Sequence, residues 1–167
     1  MSVSRGRLQP AIGAILGFVM CSGVAMTADS GQVATLDERI AGAERVVVAT
    51  AKTVTPEWRE NRHGDRLIVS RIQLEVEEPL KGGGTASDVV WMEMEGGTLD
   101  GLTLRVSTLP LLERGERAVF FLDQISRGVF SPHLRGQGIL SLDDYDVVRG
   151  SSLRLDEIRT RARVLAK

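Results

Sequence analysis

Two histidines, a cluster of aspartates, a run of glutamates and a tryptophan set among arginines are the side chains of this 167-residue chain that offer chemistry. The segment Trp58-Arg59-Glu60-Asn61-Arg62-His63 has the composition of a binding hot spot, with a large aromatic beside two guanidinium groups. The alternative is a tryptophan packed back on the body of the fold under a solvated loop. His63 and His133 have no ligand partner at metal-binding spacing, so ligand counting favours structural or surface roles for both. Asp143, Asp144 and Asp146 lack the glycine and the distal glutamate of a calcium loop and read as a solvated turn. Gly82-Gly83-Gly84 is not followed by Lys-Ser/Thr, so it reads as a turn and not as a phosphate cradle. No Gly-x-Ser-x-Gly occurs, and no serine has an evident histidine partner. Unpaired acids such as Asp100 or Glu113 are the only support for carboxylate catalysis. Glu75, Glu77 and Glu78 read as like charges that discourage strand pairing at an edge. No catalytic, cofactor or metal residue is therefore assigned. The candidate interaction residues are Trp58, Arg59, Arg62 and His63.

Those residues need elements to carry them. Met1–Pro10 holds Arg5 and Arg7 and no acid, and an uncharged apolar run follows over 11–20. Small residues come next, with Ala25 and Thr27 at the −3 and −1 positions of a cleavage site. This is the pattern of a secretory signal peptide over 1–27, and the apolar run is shorter than the ~20 residues of a membrane span. The alternatives are an uncleaved anchor helix, or a lipoprotein modified at Cys21, against which the bulky Met20 stands. Cleavage would remove the single cysteine and move the net charge from -1 to -3.

A capping box, Thr35-Leu36-Asp37-Glu38, opens a short helix over about 36–43. The β-branched run over 45–55 predicts a strand that Pro56 ends. From Ile68 to Val76, apolar and polar residues alternate with period two, the mark of a half-buried antiparallel strand. Further strands are expected over 88–95 and 102–107. Ala118-Val-Phe-Phe-Leu122 is a continuous apolar run, suited to a central strand buried on both faces. Short strands are expected near 128–131 and 137–141, with one more near 146–149. Leu155, Ile158, Ala162 and Leu165 recur at helical steps, predicting an amphipathic helix over 153–165.

The stretch from Glu44 to Asp123 resembles a group of exported bacterial proteins. The matching elements are "AERVVVATAKTV", "IQLEVEEPLKG", "GGTLDGLTLRV" and "LLERGERAVFFL". They look like the small OB-type barrels of the netrin-like and tissue-inhibitor-of-metalloproteinase fold. The resemblance implies a five-stranded Greek-key barrel with flanking helices, and for some members an association with secreted metalloproteases. Animal inhibitors of this fold chelate the protease zinc through an N-terminal cysteine. The chain expected here after cleavage has none, so that mechanism does not transfer.

The expected fold is mainly β: a small antiparallel OB-like β-barrel over 28–167, with a short N-terminal helix and a C-terminal amphipathic helix. The expected function is an exported, non-enzymatic binding domain whose partner is another exported protein. The alternative is an inhibitor or accessory protein of a secreted metalloprotease. Negative charge and the scatter of Trp58, Trp91, Phe130 and Tyr145 argue against nucleic acid. No cofactor is expected, and no stable membrane span after cleavage.

Overall fold

The computed structural model describes residues 33–61 and 63–165. The signal-peptide reading of 1–27, Cys21 and Arg62 lie outside the described residues. The elements are α1 (Leu36–Gly42), β1 (Arg45–Glu60), β2 (Arg66–Lys81), β3 (Val89–Glu95), β4 (Gly97–Leu99) and β5 (Leu102–Leu104). After them come β6 (Arg117–Ser126), β7 (Val129–Pro132), a 3₁₀ turn (Arg135–Gly138), β8 (Ile139–Ser141) and α2 (Leu155–Leu165).

Five strands close a ring in the order β1-β2-β3-β7-β6, with β6 returning to β1. Every pairing is antiparallel except β3 with β7, which is parallel and rests on Trp91↔Val129 and Met92↔Phe130. The protein is thus mainly β, a small OB-like barrel of the kind the alternation indicated. β8 extends the sheet by pairing with the first half of β6.

Period-two alternation sorts side chains into two apolar layers. Inside the ring lie Val47, Ile72, Leu74, Met92, Phe120 and Leu122, among others. Outside it, Val46, Val48, Val119 and Phe121 meet Ile40 of α1 and Leu155, Ile158 and Ala162 of α2. Ala118–Leu122 is buried throughout because β6 has the barrel interior on one face and the helices on the other. The Thr35/Glu38 capping box starts α1 as its sequence indicated. Lys81 closes the other end, its Nζ donating to the carbonyls of Ile40, Ala41 and Ala43 at 2.8 Å each. Among the described residues, no helix is long and apolar enough to cross a membrane.

Three sequence expectations need correction. Pro56 does not end β1, which continues to Glu60. It is tolerated because its nitrogen faces the side of β1 that has no backbone partner beyond Ala51 among the described residues. The alternating residues over 102–107 do not supply a barrel strand. Among the described residues, Leu102–Leu104 pairs with β4 alone, in a small hairpin outside the ring. The glutamates of β2 do not guard an edge, since β2 lies between β1 and β3. Glu75 pairs with Lys52, Glu77 with Arg117 at 2.7 Å, and Glu78 with Arg159 at 2.8 Å.

Several carboxylates act as backbone acceptors. Asp143 takes the amides of Val147 at 2.8 Å and Tyr145 at 2.9 Å, which organises the acidic turn. The Val147 amide is the main cause that holds its carboxyl below the usual range. The Thr85 amide, then the Thr85 hydroxyl, lowers Asp88, and the Thr35 amide lowers Glu38 in the same way. A carboxyl lowered by folding adds stability above its unfolded pKa, and that contribution is lost as pH falls through the folded value. Carboxyl-detected NMR titration is expected to place Asp88 and Asp143 below about 3.9 and Glu38 below about 4.3, the ordinary values. Midpoints at those ordinary values would show that these caps do not form in solution.

Candidate functional site

β1 and β2 outrun the barrel. The β1–β6 pairing stops at Thr50, whereas β1–β2 continues to Glu60↔Arg66. The segments 53–60 and 66–73 thus run past the end of the β1–β6 pairing; β2 stays paired with β3 from Gln73 to Val69, and beyond that β1 and β2 continue as a two-stranded arm. Its tip is a turn organised by Asn61, whose Oδ1 accepts from the amides of His63 at 2.8 Å and Asp65 at 3.0 Å. Gly64 takes φ +84° there, a conformation glycine adopts without cost.

The arm carries the candidate interaction residues on different faces. Trp58 shares its face with Ile68, opposite it in the ladder, and is half-buried. Its Nε1 donates to Asp100 Oδ2 at 3.1 Å, and the Arg66 guanidinium lies 4.8 Å from the ring centroid. Asp100 occupies the turn between β4 and β5, with φ +52°. The indole therefore ties the arm to the small hairpin. Arg59 points to the opposite face, where it meets Glu57 at 2.6 Å and Glu93 at 3.0 Å. The hydrogen bond with Glu57 and the charge of Glu93 raise its pKa further. His63 is exposed at the tip, and Arg62 lies outside the described residues. Trp58 and Arg59 thus do not form one patch, because neighbours on a strand point to opposite sides.

Between the arm and the chain that follows β5 lies a cavity of about 410 Å³. One wall is Val54 and Pro56 of β1; the floor is Met94, Gly96 and Gly97; Leu104 to Glu113 forms the far side. That volume falls within the range of about 300–1,000 Å³ typical of ligand pockets, and the lining combines apolar side chains with the charged Glu95, Arg105 and Glu113. Ser70 is the buried polar group in it, 3% exposed, and donates to the Gly96 carbonyl at 2.7 Å. Gly97 sits at φ +137°, and a Cβ there would come within 2.6 Å of Ser70 Oγ. Leu111 in the lining is 43% exposed, and Leu102, 59% exposed, lies in an adjoining recess with Trp58, Ile68 and Leu104, the last of which also lines the cavity. The sequence carried two signals of this cavity: the Gly96-Gly97 pair, and a serine inside the apolar alternation from Ile68 to Val76.

The loop that forms the far wall is held from outside. Gly136 donates its amide to the Thr108 carbonyl at 2.8 Å, and a Cβ on Gly136 would collide with that same oxygen. Arg135 reaches Thr108 Oγ1 at 3.0 Å and Glu95 at 2.9 Å. His133 plays a structural part elsewhere: its Nδ1 meets Asp123 at 2.7 Å, and its ring packs on Gly42. Among the described residues, no three His, Cys, Asp or Glu side chains converge as a metal site. The sequence matches no protein-family model and no curated protein.

Proposed function

We propose that this chain is an exported binding module that engages another exported protein at the arm and the cavity beside it. The observation that carries this reading is the open cavity, walled mostly by apolar side chains, between the unpaired edge of β1 and a secured loop. Apolar side chains seated in such a cleft would form the dry centre of an interface. The exposed Leu111 in the cavity and Leu102 in the adjoining recess extend the apolar surface. The arginines around them match the polar rim of protein contacts, and Trp58 matches their aromatic anchors. Export is supported by the basic, apolar and small-residue order of 1–27. The metalloprotease-directed alternative rests on the family resemblance alone.

A photo-crosslinkable residue in place of Leu102, with a control in place of Arg163 on α2, tests the reading in the native host. A discrete adduct from position 102 and none from 163 is expected, and mass spectrometry then identifies the partner. Equal adducts from both positions, or none from 102, would overturn the reading.

A further inference from the structure

The backbone along the cavity is as informative as its side chains. On β2, the Ile68 carbonyl accepts from the Gly96 amide at 2.8 Å, and Val76 exchanges hydrogen bonds with Asp88 and Ser87. Even-numbered β2 residues therefore turn their backbone groups toward β3, and odd-numbered ones toward β1. Across the β1–β2 ladder, Thr55 and Glu57 oppose Arg71 and Val69 and share those bonds. Val54, Pro56 and Trp58 oppose Ile72, Ser70 and Ile68, so their backbone groups face away from β2. On that side, Ala51 is served by Glu116 and Gly115 at 2.9 and 2.7 Å. Beyond Ala51 the row has no backbone partner among the described residues. It leaves the amides of Val54 and Trp58, and the carbonyls of Val54, Pro56 and Trp58, as a free strand edge beside the cavity.

We propose that this edge takes up an extended segment of the partner protein by strand addition, with apolar side chains at alternate positions. A row of unpaired amides and carbonyls at strand spacing is matched by another extended backbone. Residues of the added strand directly opposite Val54 and Pro56 would point their side chains the same way as these do, into the cavity. The occupant's period-two apolar pattern follows from that register. Pro56 leaves its position with an acceptor only, which interrupts open-ended pairing of β1 edges between copies of the chain. This inference rests on the reading of the cleft as a binding site and specifies its mode.

The test is selection of nine-residue linear peptides displayed against the full-length chain. Enriched peptides are expected to be apolar at every second residue. The best is then synthesised with N-methyl groups on alternate residues in each of the two frames. One frame, which removes the amides facing β1, is expected to weaken binding at least about tenfold, and the other to leave it nearly unchanged. Val54→Pro deletes a free-edge amide and is expected to weaken binding to a similar degree, with its melting curve as the check on folding. If that variant unfolds, the N-methyl series still decides. Equal binding in both frames would overturn strand addition and leave a contact made by side chains alone. Failure to enrich any peptide would overturn it too, while an adduct from position 102 would keep the broader reading. A self-associated chain whose dissociation alone permits peptide binding would assign the edge to a second copy and overturn the proposal.

Discussion

Phe120→Ala is expected to lower stability by about 3–5 kcal/mol, the range for truncating a buried aromatic. Phe120 is fully buried inside the barrel. Its backbone lies between Val47 of β1 and Ile139 of β8, so it is fixed on both sides. A strand held in this way cannot move inward to fill the hole, and most of the cavity cost remains. Small domains hold only about 5–15 kcal/mol in total, so this one change would remove a large share of the margin. The melting temperature should fall by about 10–20 °C. Phe121→Ala removes the same group from the layer under α1 and α2, where the helices can settle inward, and should cost toward the lower end of that range. Urea unfolding reads both, as a lower midpoint with an unchanged slope. A loss below about 1 kcal/mol for Phe120→Ala would place that side chain outside a close-packed interior.

Trp58→Ala is expected to have the largest effect on binding, a loss of at least about 30-fold, as for interface hot spots of 2 kcal/mol or more. The indole does three things in the arm. It donates to Asp100, carries the Arg66 guanidinium on its face, and forms part of a small recess with Ile68, Leu102 and Leu104. Without it, the β4–β5 hairpin loses its tie to the arm, and Leu102 loses the aromatic wall of its recess. Global stability should change far less, since Trp58 lies outside the ring. Trp58→Phe keeps an aromatic face for Arg66 and drops only the indole hydrogen bond, so a loss of about three- to tenfold is expected. Asp100→Asn keeps an acceptor and should bind nearly as the parent chain does. Affinity for the cross-linked partner reads all three; unchanged affinity in Trp58→Ala would remove the clamp from the binding surface.

Much of the fold was legible because its signals are local. The Thr35/Glu38 capping box, the alternation from Ile68 to Val76, the apolar run over 118–122 and the helical steps of Leu155, Ile158 and Ala162 each report their own element. Ring closure was not legible in detail. It depends on two parallel residue pairs between β3 and β7, which leave no periodic trace. Leu102 and Leu104 alternate as a barrel strand would, yet the turn at Asp100 and Gly101 folds them onto β4. Pro56 read as a stop because strand length alone does not reveal which edge is unpaired.

The site was half legible. Trp58 and Arg59 stood out by type, but adjacency in sequence placed them on opposite faces of the arm. The cavity draws on β1, β2, β3, β4 and the loop after β5, and separations that large carry no motif. Its free edge follows only from the register of three strands.

The free edge is the central claim, and residue-resolved amide hydrogen exchange tests it most directly. In the chain alone, the amides of Val54 and Trp58 should exchange far faster than those of Thr55 and Glu57, which bond to β2. With the selected peptide bound, Val54 and Trp58 should become protected while Thr55 and Glu57 stay as they were. Uniform protection from 54 to 58 in the free chain, or no slowing of Val54 and Trp58 on binding, would contradict the account.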